Sequence, residues 1–269
     1  MIIETMERSR EQTVSPAMKQ QRISLWGYYF YCEILKVFRD PAVLVFSIGF
    51  PSLFFIIFSG AFNAQYASTF LAQYAAYGAF VVAFQTFTIE ISMERNLGWS
   101  RLLRTTPLSP ILYLGSKVLV IVFTAIVSIL LLYVVAFLFG HVHMPLANWL
   151  SLLGLMVGCM LTFALIGMAL GFVGTSNIIQ ILSTVITLVL SLTSGLFMPL
   201  QYLPPIVRAI APYLPTYHLG QVAWDAVGSP WSRDSYPLWF HLLVLGGFAL
   251  VFAIFAVWAY LRDENKNFA

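Results

Sequence analysis

The sequence predicts an all-α integral membrane fold with six transmembrane helices, and three observations carry that prediction. The 269 residues are 60% hydrophobic and only 9% charged, where a soluble domain carries about 25% charged residues. Between Lys117 and Arg208 there is no Asp, Glu, Lys or Arg, a gap that holds three spans of roughly 20 residues each. The apolar runs show no alternation of period two, which argues against a barrel. Helices, which satisfy their own backbone, are the natural solution in lipid.

Residues 1–21 are polar and mixed in charge. They lack the apolar core of a cleaved signal peptide and read as a flexible cytoplasmic tail. Residues 22–40 place Trp26, Tyr29, Phe30, Ile34, Val37 and Phe38 near helical spacing, with charges on the other side. That pattern predicts an amphipathic helix lying on the inner surface.

A six-span domain follows over residues 41–261. The spans are expected near Pro41–Phe62, Phe70–Ile91, Tyr113–Phe139, Trp149–Val173, Ile178–Phe197 and Leu238–Tyr260. Each is long enough to cross with some tilt, and Pro51 is expected to kink the first. Gly154/Gly158 and Gly167/Gly171 form two GxxxG pairs in span four, read as ordinary close packing of helices. The stretch from Met198 to Trp231 is too apolar for a free loop, and five prolines, Pro199 to Pro215, break it. A pair of short re-entrant helices fits it, since such backbone is tolerated where protein buries it. Residues 262–269 form a second cytoplasmic tail.

Orientation follows from the basic residues. With the N-terminus inside, twelve of the fourteen lysines and arginines fall on inner segments, and only Arg208 and Arg233 fall outside. Both termini are therefore expected in the cytoplasm, in a cell (inner) membrane. The net charge of +3 reflects this placement and not a nucleic-acid surface. Cys32 and Cys159 are expected to stay unpaired, and neither has metal-ligand spacing around it.

Chemistry is sparse. No GxxxxGK[ST] loop is present, and the local Gly115-Ser116-Lys117 lacks the first glycine, so the chain is not expected to bind ATP. His141 and His143 lack a third ligand nearby in sequence, which favours no metal. His218 reads as a hydrogen-bonded structural histidine more than as a proton sensor. Glu90 is the one carboxylate inside a proposed span. Its place near Glu94 and Arg95 favours an interfacial ion pair over a proton relay. Thr184, Thr187, Ser191 and Ser194 share one face of span five, and Phe80, Phe84 and Phe87 share one face of span two. Two readings stand for these stripes: a path for an amphiphile, or helix packing and lipid contact.

The loop between spans two and three holds ERNLGWSRLLRTTP, Glu94 to Pro107. If Ser92–Thr105 is helical, Leu97, Arg101 and Arg104 approach one face. Trp99, Leu102 and Leu103 form a broader apolar surface, and Pro107 ends the helix. Topology accounts for the arginines, but the bounded amphipathic helix suits docking in a groove of a cytoplasmic partner.

These residues carry a resemblance. Glu94-Arg95, Gly98 and Arg101-Leu102-Leu103-Arg104-Thr105-Thr106-Pro107-Leu108, followed by Tyr113 and Lys117, resemble the cytoplasmic loop of type-2 ABC exporter permeases. Ser194-Gly195-Leu196-Phe197-Met198-Pro199 and the later Leu203-Pro204, Pro212, Pro215 and His218 resemble that family's outer re-entrant segment. The amphipathic helix resembles its elbow helix. The resemblance implies a coupling helix built from Glu94, Arg95, Gly98, Trp99, Arg101, Leu102, Leu103 and Arg104. It also implies a second permease chain, homodimeric or heterodimeric, and two separate ATPase subunits that bind ATP and Mg. Spans one, two and five of two protomers would enclose the substrate path. The expected function is the membrane subunit of an exporter of an amphiphilic drug, antibiotic or lipid-like compound. A polysaccharide or other polymer exporter is the alternative within the family. A proton-coupled secondary transporter is the rival from another class, and it wants more carboxylates in mid-span than Glu90.

Overall fold

The computed structural model describes residues 16–41, 43–61, 64–98, 110–232 and 236–266, and among these it is helical with no strand. Helix α1, Pro16–Arg39, comes first. Span one, Val43–Ala61, joins a π-helical segment, Val43–Gly49, to α2, Phe50–Ala61. Span two, Ala67–Asn96, runs through α3, Ala67–Phe80, a second π segment, Val81–Thr86, and α4, Phe87–Asn96. Span three lies in α5, Pro110–Leu138, span four is α6, Leu146–Gly171, and span five is α7, Ser176–Thr193. Two short helices follow, α8, Pro205–Ile210, and α9, Pro215–Ala226. Span six lies in α10, Leu238–Lys266.

All six helices are long and apolar enough to cross a membrane. The departures from the expected bounds have physical reasons. Span two is longer at its C-terminal end than Ile91, because Glu90, Glu94 and Arg95 end the apolar run while their side chains find partners within the chain. Span five stops at Thr193 and not Phe197. Gly195 turns left-handed there, at φ +86°, and a Cβ at that position would lie 2.8 Å from Leu200.

Span two is the hub. The most apolar stretch of span two is 94% buried inside the chain, against 17% for span six. Spans one, three, four and five and helix α9 all pack on it. Gly167 and Gly171 allow one of these approaches. A Cβ on Gly167 would meet Thr88 Oγ1 at 2.7 Å, and one on Gly171 would meet Ile91 at 2.9 Å. The other pair, Gly154 and Gly158, faces open space.

Pro51 acts through the backbone. It has no N–H, so the Ser47 carbonyl four residues earlier receives no bond from it. Ser128 Oγ on span three donates to that carbonyl at 3.0 Å. The π segment ends just before the proline. Ser47 Oγ also shares a hydrogen bond of 2.8 Å with Thr86 Oγ1, which ties the two π segments together.

Candidate functional site

Charge in a chain with so little of it must be either solvated or paired. At the end of the bundle where spans two and three are joined by residues 97–112, it is paired. Three helices converge there. Helix α1 brings Glu33 and Lys36, α4 brings Glu90 and Glu94, and α5 brings Tyr113 and Lys117. The i,i+3 and i,i+4 spacings set each pair on one helical face.

Lys117 is the centre. It is 0% exposed. Its ammonium donates to Glu33 Oε2 at 2.5 Å, to Glu90 Oε1 at 2.6 Å and to Glu94 Oε1 at 2.6 Å. A lysine has three donors, and each meets a different carboxylate. Lys36 closes the outer side of the cluster, 2.8 Å from Glu94, 3.2 Å from Glu33 and 3.5 Å from Glu90. Tyr113 Oη donates to the second oxygen of Glu94 at 2.5 Å. A triad of carboxylates whose oxygens lie within 4.8 Å of one another suits a cation, and the cation it holds is the Lys117 ammonium.

The fields of these groups are visible on α1. Burial pushes the Glu33 carboxyl up, but the charges of Lys117 and Lys36 and the bonds they donate outweigh it, and its pKa lies below the ordinary value. For Lys36, burial and the neighbouring Lys117 push down, and Glu90 and Glu94 more than offset them, so its pKa is raised. Burial, helped by the negative charges of Glu33 and Glu94, pushes the Tyr29 hydroxyl well above its usual range. Both ionised partners are thereby held charged around neutral pH.

Arg95 makes a second link. Its guanidinium donates to the carbonyls of Phe172 and Gly174, in the turn that follows span four. The N-terminal stem of the connection is thus bonded to α1 and span three by Glu94, and to the turn between spans four and five by Arg95.

Of the residues expected to couple to a partner, Glu94, Arg95 and Gly98 are described. Glu94 is 8% exposed within the cluster, and Gly98 sits in a turn at φ +72°. Trp99, Arg101, Leu102, Leu103 and Arg104 lie outside the described residues. Glu90 is in an ion pair as expected, but with Lys117 and Lys36, on other helices, and not with a near neighbour in sequence. Glu33, Lys36, Tyr113 and Lys117 were not expected to form a site. The signal was a single lysine, Lys117, near the start of α5, a helix with no other charged residue.

The two stripes are brought into the interior. Phe80, Phe84 and Phe87 are buried. Phe80 stacks on Phe84 with centroids 5.5 Å apart and meets Phe163 of span four edge-on at 5.0 Å. Thr187, Ser191 and Ser194 are buried, and their hydroxyls have no hydrogen-bond partner. Thr184 alone is exposed, accepting from Gln85 Nε2 at 3.1 Å and donating to Gln180. At the opposite end of the bundle His218 is a bonded histidine. Its Nε2 meets the Pro212 carbonyl at 3.0 Å, and its Nδ1 meets Nδ1 of His241 at 2.9 Å. His141 and His143 are exposed.

Comparison with known proteins points one way. The family model described as "ABC-2 family transporter protein" matches residues 60–258. Over 241 residues the chain is 23% identical to "Putative transport permease YvfS" of Bacillus subtilis (strain 168), a match that covers 87% of this chain and 95% of that protein.

Proposed function

The chain belongs to the ABC-2 family of transporter proteins, and from that premise we propose that it is the membrane subunit of an ATP-driven exporter. Two copies, or one copy and a relative, form the pathway, and separate ATPase subunits bind ATP and Mg. The cargo is an amphiphile, in keeping with an aromatic content of 16%. The termini and the 97–112 connection face the cytoplasm, as the placement of basic residues favours.

The observation that carries this reading is the buried Lys117 at the stem of the connection. An ATPase that moves residues 99–109 pulls on two stems, Glu94 and Tyr113, and both are bonded into one cluster with α1. Arg95 passes the same displacement to the turn ahead of span five. A cluster of buried, mutually saturated charges transmits force well, because separating any pair exposes an uncompensated charge. A loop held only by its topology would move alone.

The chain contains no phosphate-cradling loop, so the energy enters through that connection. Arg101 and Arg104 pair with acidic groups on the ATPase, while Trp99 and Leu102 anchor it. Co-purification of the chain with its ATPase, followed by ATP hydrolysis measured in lipid with candidate amphiphiles, tests the reading. Stimulated hydrolysis is expected. Retained ATPase binding and retained export in Arg104→Glu would overturn the docking assignment.

A further inference from the structure

Span six shows what a lipid-facing side looks like in this chain. From Leu242 to Val257 it carries no polar side chain, and Leu250, Val251 and Ile254 are 70%, 62% and 73% exposed. Span five departs from that pattern. Gln180 and Thr184 lie on its exposed side, and Gln85 of span two is half-buried beside them. Gln85 Nε2 donates to Thr184 Oγ1 at 3.1 Å, and Thr184 Oγ1 donates to the Gln180 carbonyl at 2.8 Å. Gln85 Oε1 and the side-chain amide of Gln180 have no bond among the described residues.

Depth makes this seam costly. Span five has 18 residues, starting at Ser176, and is therefore about 27 Å long at about 1.5 Å per residue. Thr184 lies about 12 Å along it, near the middle of the hydrocarbon. Gln85, bonded to Thr184, shares that depth. Lipid tails offer an amide neither donor nor acceptor, so another surface covers the seam.

The chemistry of the seam specifies that surface. A primary amide both donates and accepts. Copies of one membrane chain insert the same way round, so a two-fold axis between them runs along the membrane normal. It sets each residue at the depth of its own counterpart. A lysine or a carboxylate there would meet its like, whereas an amide meets its complement. Ile181 and Leu188, 68% and 52% exposed, lie one turn to either side of Thr184 and supply apolar packing around the polar centre.

Resting on the exporter reading, which asks for a second permease chain, we propose that this chain is a second copy and that the two copies meet along the Gln85–Gln180–Thr184 seam. The test uses the full chain with Cys32→Ser and Cys159→Ala, in isolated membranes of the expressing cells. Ile181→Cys and Leu188→Cys place thiols beside the seam, and Leu250→Cys places one on the lipid face of span six. Copper phenanthroline is expected to form disulfide-linked dimers at one or both seam positions and none at Leu250→Cys. No dimer at either seam position overturns the proposal, as do dimers formed equally at Leu250→Cys.

The amides are tested by energy transfer between donor-labelled and acceptor-labelled copies in liposomes, across a range of protein-to-lipid ratios. Gln85→Leu with Gln180→Leu is expected to weaken association about tenfold, and unchanged association overturns the proposal. Should that variant not fold, the thiol pairs still decide the question. Modification of Thr184→Cys by a water-soluble thiosulfonate, with no self-cross-linking at the seam, overturns the proposal and assigns the seam to a water-filled path. A chain that cross-links to itself but recruits no ATPase retains this interface and loses the exporter reading. Recruitment of an ATPase without self-cross-linking does the reverse.

Discussion

Replacing Lys117 with methionine keeps the side chain's length and removes its charge. In the wild-type protein the ammonium is fully buried and each of its donors meets a carboxylate at 2.5 to 2.6 Å. In Lys117→Met, Glu33, Glu90 and Glu94 remain within 4.8 Å of one another, with Lys36 as their remaining cation in the cluster. Breaking a buried pair by removing one partner costs about 3–5 kcal/mol. For a chain of this size each kcal/mol lowers the melting temperature by about 2–4 °C, so a fall of about 6–20 °C is expected. The assay is the folded fraction surviving size-exclusion chromatography after heating in detergent. Adding Glu90→Gln and Glu94→Gln to Lys117→Met removes the uncompensated charges and is expected to recover more than half of the loss, because these neighbours are coupled. A melting temperature within about 2 °C of wild type, or a triple variant as unstable as the single, would refute the reasoning.

Three further outcomes can be measured on the same preparation. Gly167→Ala drives a Cβ against Thr88 Oγ1 and the Phe84 carbonyl and is expected to cost about 1–3 kcal/mol. Gly154→Ala meets nothing and is expected to stay within about 0.5 kcal/mol of wild type. The Glu33 carboxyl has a folded pKa below the ordinary 4.5, so its contribution is complete above about 4.5 and is lost as pH falls through the folded value. Glu33→Gln should therefore melt lower than wild type at pH 7 and decline less steeply below pH 4.5, as melting curves across pH will record. His241→Ala removes the 2.9 Å bond that ties α9 to span six and is expected to cost about 1 kcal/mol, read as faster proteolysis between spans five and six.

Hydropathy made the six spans legible, because crossing the hydrocarbon core takes about 20 apolar residues whether they face lipid or protein. It located span six to the residue, Leu238–Tyr260. It shortened span two, since a sliding sum of hydropathy penalises Glu94 whether it faces water or Lys117. The ion cluster was illegible for a related reason. Glu33 and Lys117 are 84 positions apart, and a count of basic residues uses Lys36 and Lys117 only as topology signals. The hydroxyl stripe of span five was visible as a stripe, but its direction was not. Thr184 turns out to bond Gln85, while Thr187 and Ser191 point into the core. Sequence spacing fixes which residues share a face and leaves open what that face meets.

The bond from Ser128 to the Ser47 carbonyl has a mechanical meaning. In lipid, a helix that opens its ladder finds no water to take up the slack, so an ordinary span resists bending along its whole length. Span one has already given up one rung of its ladder to Pro51, and that rung is closed by a hydroxyl belonging to span three. Bending span one at this level breaks no bond of its own ladder. It only lengthens a contact that a serine can remake by rotating. The two helices are thus latched at one level by a part that can slip, while the lysine cluster fixes the end of span three to α1, the helix ahead of span one.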